Sequence, residues 1–323
     1  MQIKAINSVR QIIPVIVLSS GLAWVGYLLA GHVDSFYDVL PDSWFSFVVS
    51  LLFLSVSVIL PSIIFTCLFF RASGSDQTWL TSLNLYFSAQ LLKYVPGKIW
   101  GIVYQVTMSS GVSAWTIATV NIDFTVLSML INVIFAVLVL GAKSVIPLSL
   151  AFCITTVGVV FLILYMLGGA RSGLKYIFNF VPDRVGAKLR DLPANSMELQ
   201  HILKLLSVQV ISISIFCLSW NMLSNGYSEL SELDFVGLGM IYVIASAIGI
   251  VTMISPAGLG VREASFVTLA SGFASVNELA FIAVVARVWF VFSEVLAALS
   301  MLMAVYCISL ISNPDKRSNT GRS

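Results

Sequence analysis

Six apolar runs, at residues 11–31, 45–70, 115–140, 145–168, 199–223 and 279–311, are each long enough to cross a bilayer. A helix rises about 1.5 Å per residue, so roughly 20 apolar residues span a hydrocarbon core of about 30 Å. Of the 323 residues, 59% are hydrophobic and 10% are charged. An ordinary soluble domain carries about 25% charged residues. The pattern predicts an all-α polytopic membrane protein. A net charge of +2 spread over so few ionic residues builds no basic stripe, which excludes nucleic acid as a partner. Cys67, Cys153, Cys217 and Cys307 stand singly in apolar runs, so no metal or disulfide framework is indicated, and no cofactor is expected. No phosphate-binding loop, zinc-protease motif or nucleophile elbow occurs, so the chain reads as a non-enzyme without an ATP site of its own.

Loop charges set an orientation. Lys4 and Arg10 precede the first run, Arg71 follows the second, and Arg171, Lys175, Arg184, Lys188 and Arg190 crowd the longest polar segment. Asp34, Asp38, Asp42, Glu229, Glu232 and Asp234 fill the alternate loops. The alternation predicts a cytoplasmic (inner) membrane location with both termini in the cytoplasm, and Lys143 dissents from it. The run at 11–31 is long for a cleaved signal and reads as a retained first span.

Two further apolar stretches, 78–109 and 235–272, are interrupted by Pro and Gly. Each is too long for one span and short for two with a turn. A re-entrant hairpin fits, and two full crossings remain open. The stretches resemble each other: "VPGKIWGIVYQVTMSSGV" beside "SPAGLGVREASFVTLASGF" matches Pro96 with Pro256 and Ser110-Gly111 with Ser271-Gly272, within a one-residue slip. Each is preceded by two spans and followed by one. The expected plan is therefore an inverted repeat, 1–143 and 144–312, each half holding three transmembrane helices plus one broken hairpin, with a polar tail at 313–323. Three full crossings per half turn the second half upside down, as in many secondary transporters.

Proline suits the first turn of a helix, so Pro96 and Pro256 are read as hairpin breaks that start new half-helices, with Ser255 as a cap. A helix N-terminus at depth offers free N–H groups to an anion. Gly97, Gly258 and Gly260 permit close approach. Lys98 and Arg262 lie just beyond the breaks, followed in the second by Glu263. A charge at mid-membrane costs about 2.5–3.5 kcal/mol on insertion scales, which asks for a ligand, a counter-ion or water. The competing reading for Lys98 and Lys93 is snorkelling to an interface. Asp123 and Arg287 sit on equivalent faces of the spans that follow each hairpin. They are expected to pair across the repeat axis, with Glu294 as a rival partner for Arg287. In this reading Lys98, Arg262 and Arg287 bind an anionic substrate, while Asp123, Glu263 and Glu294 balance charge.

At "KYVPGKIW" and "SPAGLGVRE" the chain resembles the lysylphosphatidylglycerol synthase membrane region, the flippase-like integral membrane family. The Pro96-Gly97-Lys98 triplet and the segment Pro256-Ala257-Gly258-Leu259-Gly260-Val261-Arg262-Glu263 carry the likeness. The resemblance implies lipid handling, here without a synthetase domain. It suggests a flippase or scramblase for an anionic phospholipid or a polyprenyl-phosphate-linked lipid. Two alternatives stand beside it. One is a membrane transferase with Asp123 or Glu263 as base. The other is a non-transporting partner of envelope polysaccharide or lipid synthesis enzymes.

Overall fold

A computed structural model describes residues 43–73, 78–93, 100–109, 111–166, 199–226, 234–251 and 260–312. These form helices α1 Trp44–Ile59, α2 Pro61–Ser73, α3 Trp79–Leu92, α4 Trp100–Met108, α5 Ala114–Ala142, α6 Leu148–Met166, α7 Leu199–Ser224, α8 Phe235–Val251, α9 Val261–Leu269 and α10 Val276–Ser312, with no strand among the described residues. Five stretches are long and apolar enough to cross a membrane: Trp44–Ser73, Ala114–Ala142, Leu148–Met166, Ile202–Ser224 and Val276–Ile308. They coincide with five of the six predicted runs, and the sixth, 11–31, lies outside the described residues. The outer faces are apolar: α6 alone exposes Phe152, Val157, Phe161 and Leu164. A soluble protein rarely presents such a surface to water, and the fold is that of a multi-pass helical membrane protein.

Helices α1 and α2 are one span interrupted at Pro61. Proline has no N–H to give to the carbonyl four residues back, that of Ser57. The hydroxyl of Ser212 on α7 donates to this carbonyl instead, at 2.8 Å, and Ser57 Oγ returns a bond to Ser212 O at 2.9 Å. α7 packs along α1 more extensively than any other pair of helices meets. On its other side α1 meets α10, where Trp289 Nε1 donates to Ser50 Oγ at 3.0 Å.

The two interrupted stretches resolve into short helices, α3 with α4 and α8 with α9. Nine residues, the length of α4 and of α9, rise about 13.5 Å, under half the hydrocarbon thickness. Within the first pair, a Cβ on Gly101 would lie 3.1 Å from the carbonyl oxygen of Ala89, so the helices touch backbone to backbone. The G-x-x-x-G pattern of Gly97 and Gly101 thus serves packing at its second glycine. Buried Gln105 donates to Leu85 O at 3.4 Å and accepts from Asn121 Nδ2 at 2.7 Å, tying α3, α4 and α5 together.

Each short pair packs on the long helix that follows the other: α3 on α10, and α8 on α5. Each also has its own core. Phe65, Phe69, Tyr86, Phe87, Ile117 and Leu127 gather around the first pair. Trp220, Tyr242, Phe266 and Trp289 gather around the second.

Contacts between helix ends define one end of the bundle. Ser43 N donates to Gly226 O at 3.3 Å, joining the start of α1 to the end of α7. Lys143 Nζ, at the end of α5, lies 2.8 Å from Asp234 Oδ1, which also caps α8 by accepting from Gly237 N at 3.0 Å. Gly237 in turn faces Phe273, just before α10. The second pair therefore opens on this end. The first pair, between the far ends of α2 and α5, opens on the opposite one. Lys143, the dissenter in the loop-charge pattern, is the counter-ion of an acidic-loop residue.

Candidate functional site

The described tips of both short-helix pairs reach the same face of α10. Lys93, the C-cap of α3, places Nζ 2.6 Å from Glu294 Oε1. Glu294 is the middle residue of α10. Glu263, in the first turn of α9, places Oε1 3.3 Å from Arg262 Nη2 and 3.9 Å from Arg287 Nη1. Arg287 and Glu294 are seven residues apart, two helical turns or about 10 Å along one face. Five ionic side chains from three elements thus converge on one face of α10 near its middle. Three are cations and two are acids.

The start of α9 explains where its charges point. Gly260 has φ +80°, a left-handed conformation that costs glycine nothing, and it caps the helix. Glu263 Oε2 accepts from Gly260 N at 2.8 Å, closing half of a capping box, while its other oxygen serves the two arginines. Glu263 therefore both neutralises Arg262 and finishes the helix. The described half-helix begins at Val261 with Gly260 as its cap, and Ser255 and Pro256, expected to start a helix, lie outside the described residues.

Arg262 lies on the buried face of α9 with Phe266. Its guanidinium carbon stands 5.0 Å from the centroid of the Tyr242 ring. That ring stacks on Phe290 at 5.2 Å and meets Phe266 edge-on at 5.7 Å. Cation and ring attract each other electrostatically. Arg262 Nε and Tyr242 Oη are both buried; the hydroxyl, an acceptor as well as a donor, interacts with the guanidinium, although neither atom makes a hydrogen bond of full geometry. The opposite face of α9 borders an open groove of about 540 Å³ lined by Ile248, Gly260, Ala264, Ser265, Thr268 and Leu269, separate from the ionic cluster.

Of the residues singled out in the sequence, Arg262, Glu263, Arg287 and Glu294 come together, with Gly260 at the edge of the group. Pro96, Gly97, Lys98, Pro256 and Gly258 lie outside the described residues. Asp123 does not join them. It is buried on α5 and accepts from Tyr165 Oη of α6 at 2.5 Å. It forms no ion pair with Arg287, because α5 and α10 each pack on the opposite short-helix pair rather than on each other. Arg287 turns to Glu263 instead, and Glu294 to Lys93. Lys93 does not snorkel away: its partner is at mid-helix. Tyr242 and Tyr165 carry no motif. The only signal for Tyr242 is a phenolic hydroxyl in a glycine-containing helix whose one other polar side chain is Ser246.

No family model, no curated protein and no solved structure matches the chain, so the site is read from its own geometry.

Proposed function

We propose that this protein is a lipid transporter, a flippase or scramblase that moves an anionic phospholipid or a polyprenyl-phosphate-linked lipid between leaflets. The observation that carries the reading is the meeting of two short-helix tips, from opposite ends of the bundle, on one charged face at the middle of α10. We read the short pairs as re-entrant hairpins and the two halves as an inverted repeat in the cytoplasmic membrane, with both termini in the cytoplasm. The exchange of partners, α3 on α10 and α8 on α5, supports this, as does the reciprocal bond between Ser57 and Ser212. Such reciprocity is what a twofold axis generates.

Lys98, Arg262 and Arg287 would hold the phosphate while the tail stays in the bilayer. The guanidinium groups of Arg262 and Arg287, gathered around one carboxylate, favour a ligand rich in acceptor oxygens. Because Arg262 Nε and Tyr242 Oη are occluded, the tip of α9 has to move before a headgroup reaches them, which suits alternating exposure to the two leaflets. The resemblance at the Pro-Gly-Lys and Gly-Leu-Gly-x-Arg-Glu segments points the same way. A transferase needs an unengaged base, whereas Glu263 serves three donors and Asp123 accepts from a tyrosine.

The test is reconstitution of the purified protein into liposomes with fluorescent anionic and zwitterionic lipids. Leaflet exchange of the anionic lipid that is lost in Arg262→Ala and Lys98→Ala supports the reading. Covalent change of the lipid, or no exchange by a folded protein, overturns it.

A further inference from the structure

Helix α10 carries Arg287 and Glu294 on one face and an apolar stripe on the other. Phe292, Leu296, Leu299 and Met303 recur at helical spacing and are 54%, 40%, 43% and 67% exposed. Exposure alone says only that lipid or protein covers them. What identifies the cover is the corresponding face of α5.

Helices α5 and α10 start from like caps. Ser113 Oγ accepts from Thr116 N at 3.0 Å, and Ser275 Oγ accepts from Glu278 N at 3.4 Å. The two serines are 162 positions apart (275 less 113). On α5, helix α6 packs so closely that a Cβ on Gly158 would fall 2.9 Å from Ile134 Cγ1, and one on Gly141 2.5 Å from Ala151 Cβ. The same offset carries Ile134 to Leu296 and Gly141 to Met303. The two α5 positions in closest contact with α6 thus become two members of the uncovered stripe. α6 is the span that precedes α7, and residues 11–31 are the run that precedes α1.

We infer that residues 11–31 dock against the Phe292–Met303 stripe of α10, antiparallel to it, as α6 docks on α5. The inference rests on the repeat in the reading above. Chain direction agrees. The segment leads to Ser43, which lies at the end of the bundle where α10 begins, so a helix ending there runs opposite to α10. Spacing agrees too. Ala151 and Gly158, the small residues that let α6 approach, are seven apart, as are Ser19 and Gly26. Small residues admit close helix contact in membranes. Ser19 is eight residues from the start of the 11–31 run and Met303 is nine from the end of α10, which brings them to one depth. The matching register pairs Ser19 with Met303 and Gly26 with Leu296.

The experiment is cysteine cross-linking of the full-length protein in its membrane, with the four native cysteines replaced by serine and a protease site inserted between residues 32 and 42. Ser19→Cys with Met303→Cys, and Gly26→Cys with Leu296→Cys, should each give fragments that stay joined after oxidation and cleavage. Ser19→Cys with Phe292→Cys, about 16 Å further along α10 by helical rise, should not. Dimers formed by Met303→Cys alone, without intramolecular joining, would assign the stripe to a second copy and overturn the inference. No joining in either pair would assign it to acyl chains and overturn it equally. Joined fragments in a protein that moves no lipid leave this inference standing and remove the transport reading. Lipid movement without joining does the reverse.

Discussion

The ammonium of Lys93 lies 2.6 Å from the carboxylate of Glu294, the first at the tip of α3 and the second at the centre of α10. Their separation in sequence is 201 residues, so the pair fastens one half of the chain to the other. Removing one partner leaves a charge at mid-depth. Glu294→Gln and Lys93→Met should each destabilise the protein by about 1–2 kcal/mol, less than a fully buried pair because the lysine keeps some exposure. The double variant Lys93→Met with Glu294→Gln should recover most of that loss. Thermal unfolding in detergent, read as a double-mutant cycle, checks it. An additive double variant would mean the pair has no coupling.

Glu263 separates two guanidinium groups that share its Oε1. Glu263→Gln keeps an oxygen for Gly260 N, so the cap survives, but it removes the charge between Arg262 and Arg287. The expected outcome is a lower melting temperature together with tighter binding of an anionic headgroup, which takes over the vacated counter-charge. Titration of short-chain phosphatidic acid into nanodisc-embedded protein measures the second effect. An affinity that falls in Glu263→Gln contradicts the assignment of the arginines to the anion.

Tyr242 has a buried hydroxyl beside Arg262 and a ring held by Phe290, Phe266 and Arg262. Tyr242→Phe keeps the ring and removes a hydroxyl that makes no hydrogen bond of full geometry, so stability should change by no more than about 1 kcal/mol. If the hydroxyl meets the headgroup during transport, leaflet exchange falls several-fold in the same variant. Tyr242→Ala, by contrast, should cost about 3–5 kcal/mol through the lost ring. Melting curves and exchange rates on the same preparations separate the two roles.

Gly101 touches the backbone of Ala89 across the first short pair. Gly101→Val places branched carbons where about 3 Å is available and should destabilise by about 1–3 kcal/mol, while Gly111→Ala, where no atom stands within 4 Å, is felt only through its φ of +81°. A pulse-proteolysis comparison of the two variants checks the ranking.

Much of this architecture is legible in the residues before any coordinates. Long apolar runs announce spans because lipid leaves the backbone no other partner. The Pro-Gly interruptions announce short helices because no continuous helix tolerates them. Pairings are harder to read. Asp123 and Arg287 occupy related faces, yet face equivalence says nothing about distance, and each finds a nearer partner on the helix that packs beside it. The cap formed by Gly260 and Glu263 is not legible either, since a left-handed turn is visible only as a backbone angle. Tyr242 was invisible as a site residue because its importance comes from a cation brought over it by a different helix.

The two clasps on α10 have opposite polarity. One short-helix pair presents a cation to an acid of the rod, and the other presents an acid to a cation. Both are seated on a single helix two turns apart, so a slide of that helix by one turn, about 5.4 Å, unfastens both in the same stroke. Neither tip then opens while the other stays shut under such a motion, and the release of the two clasps becomes one event.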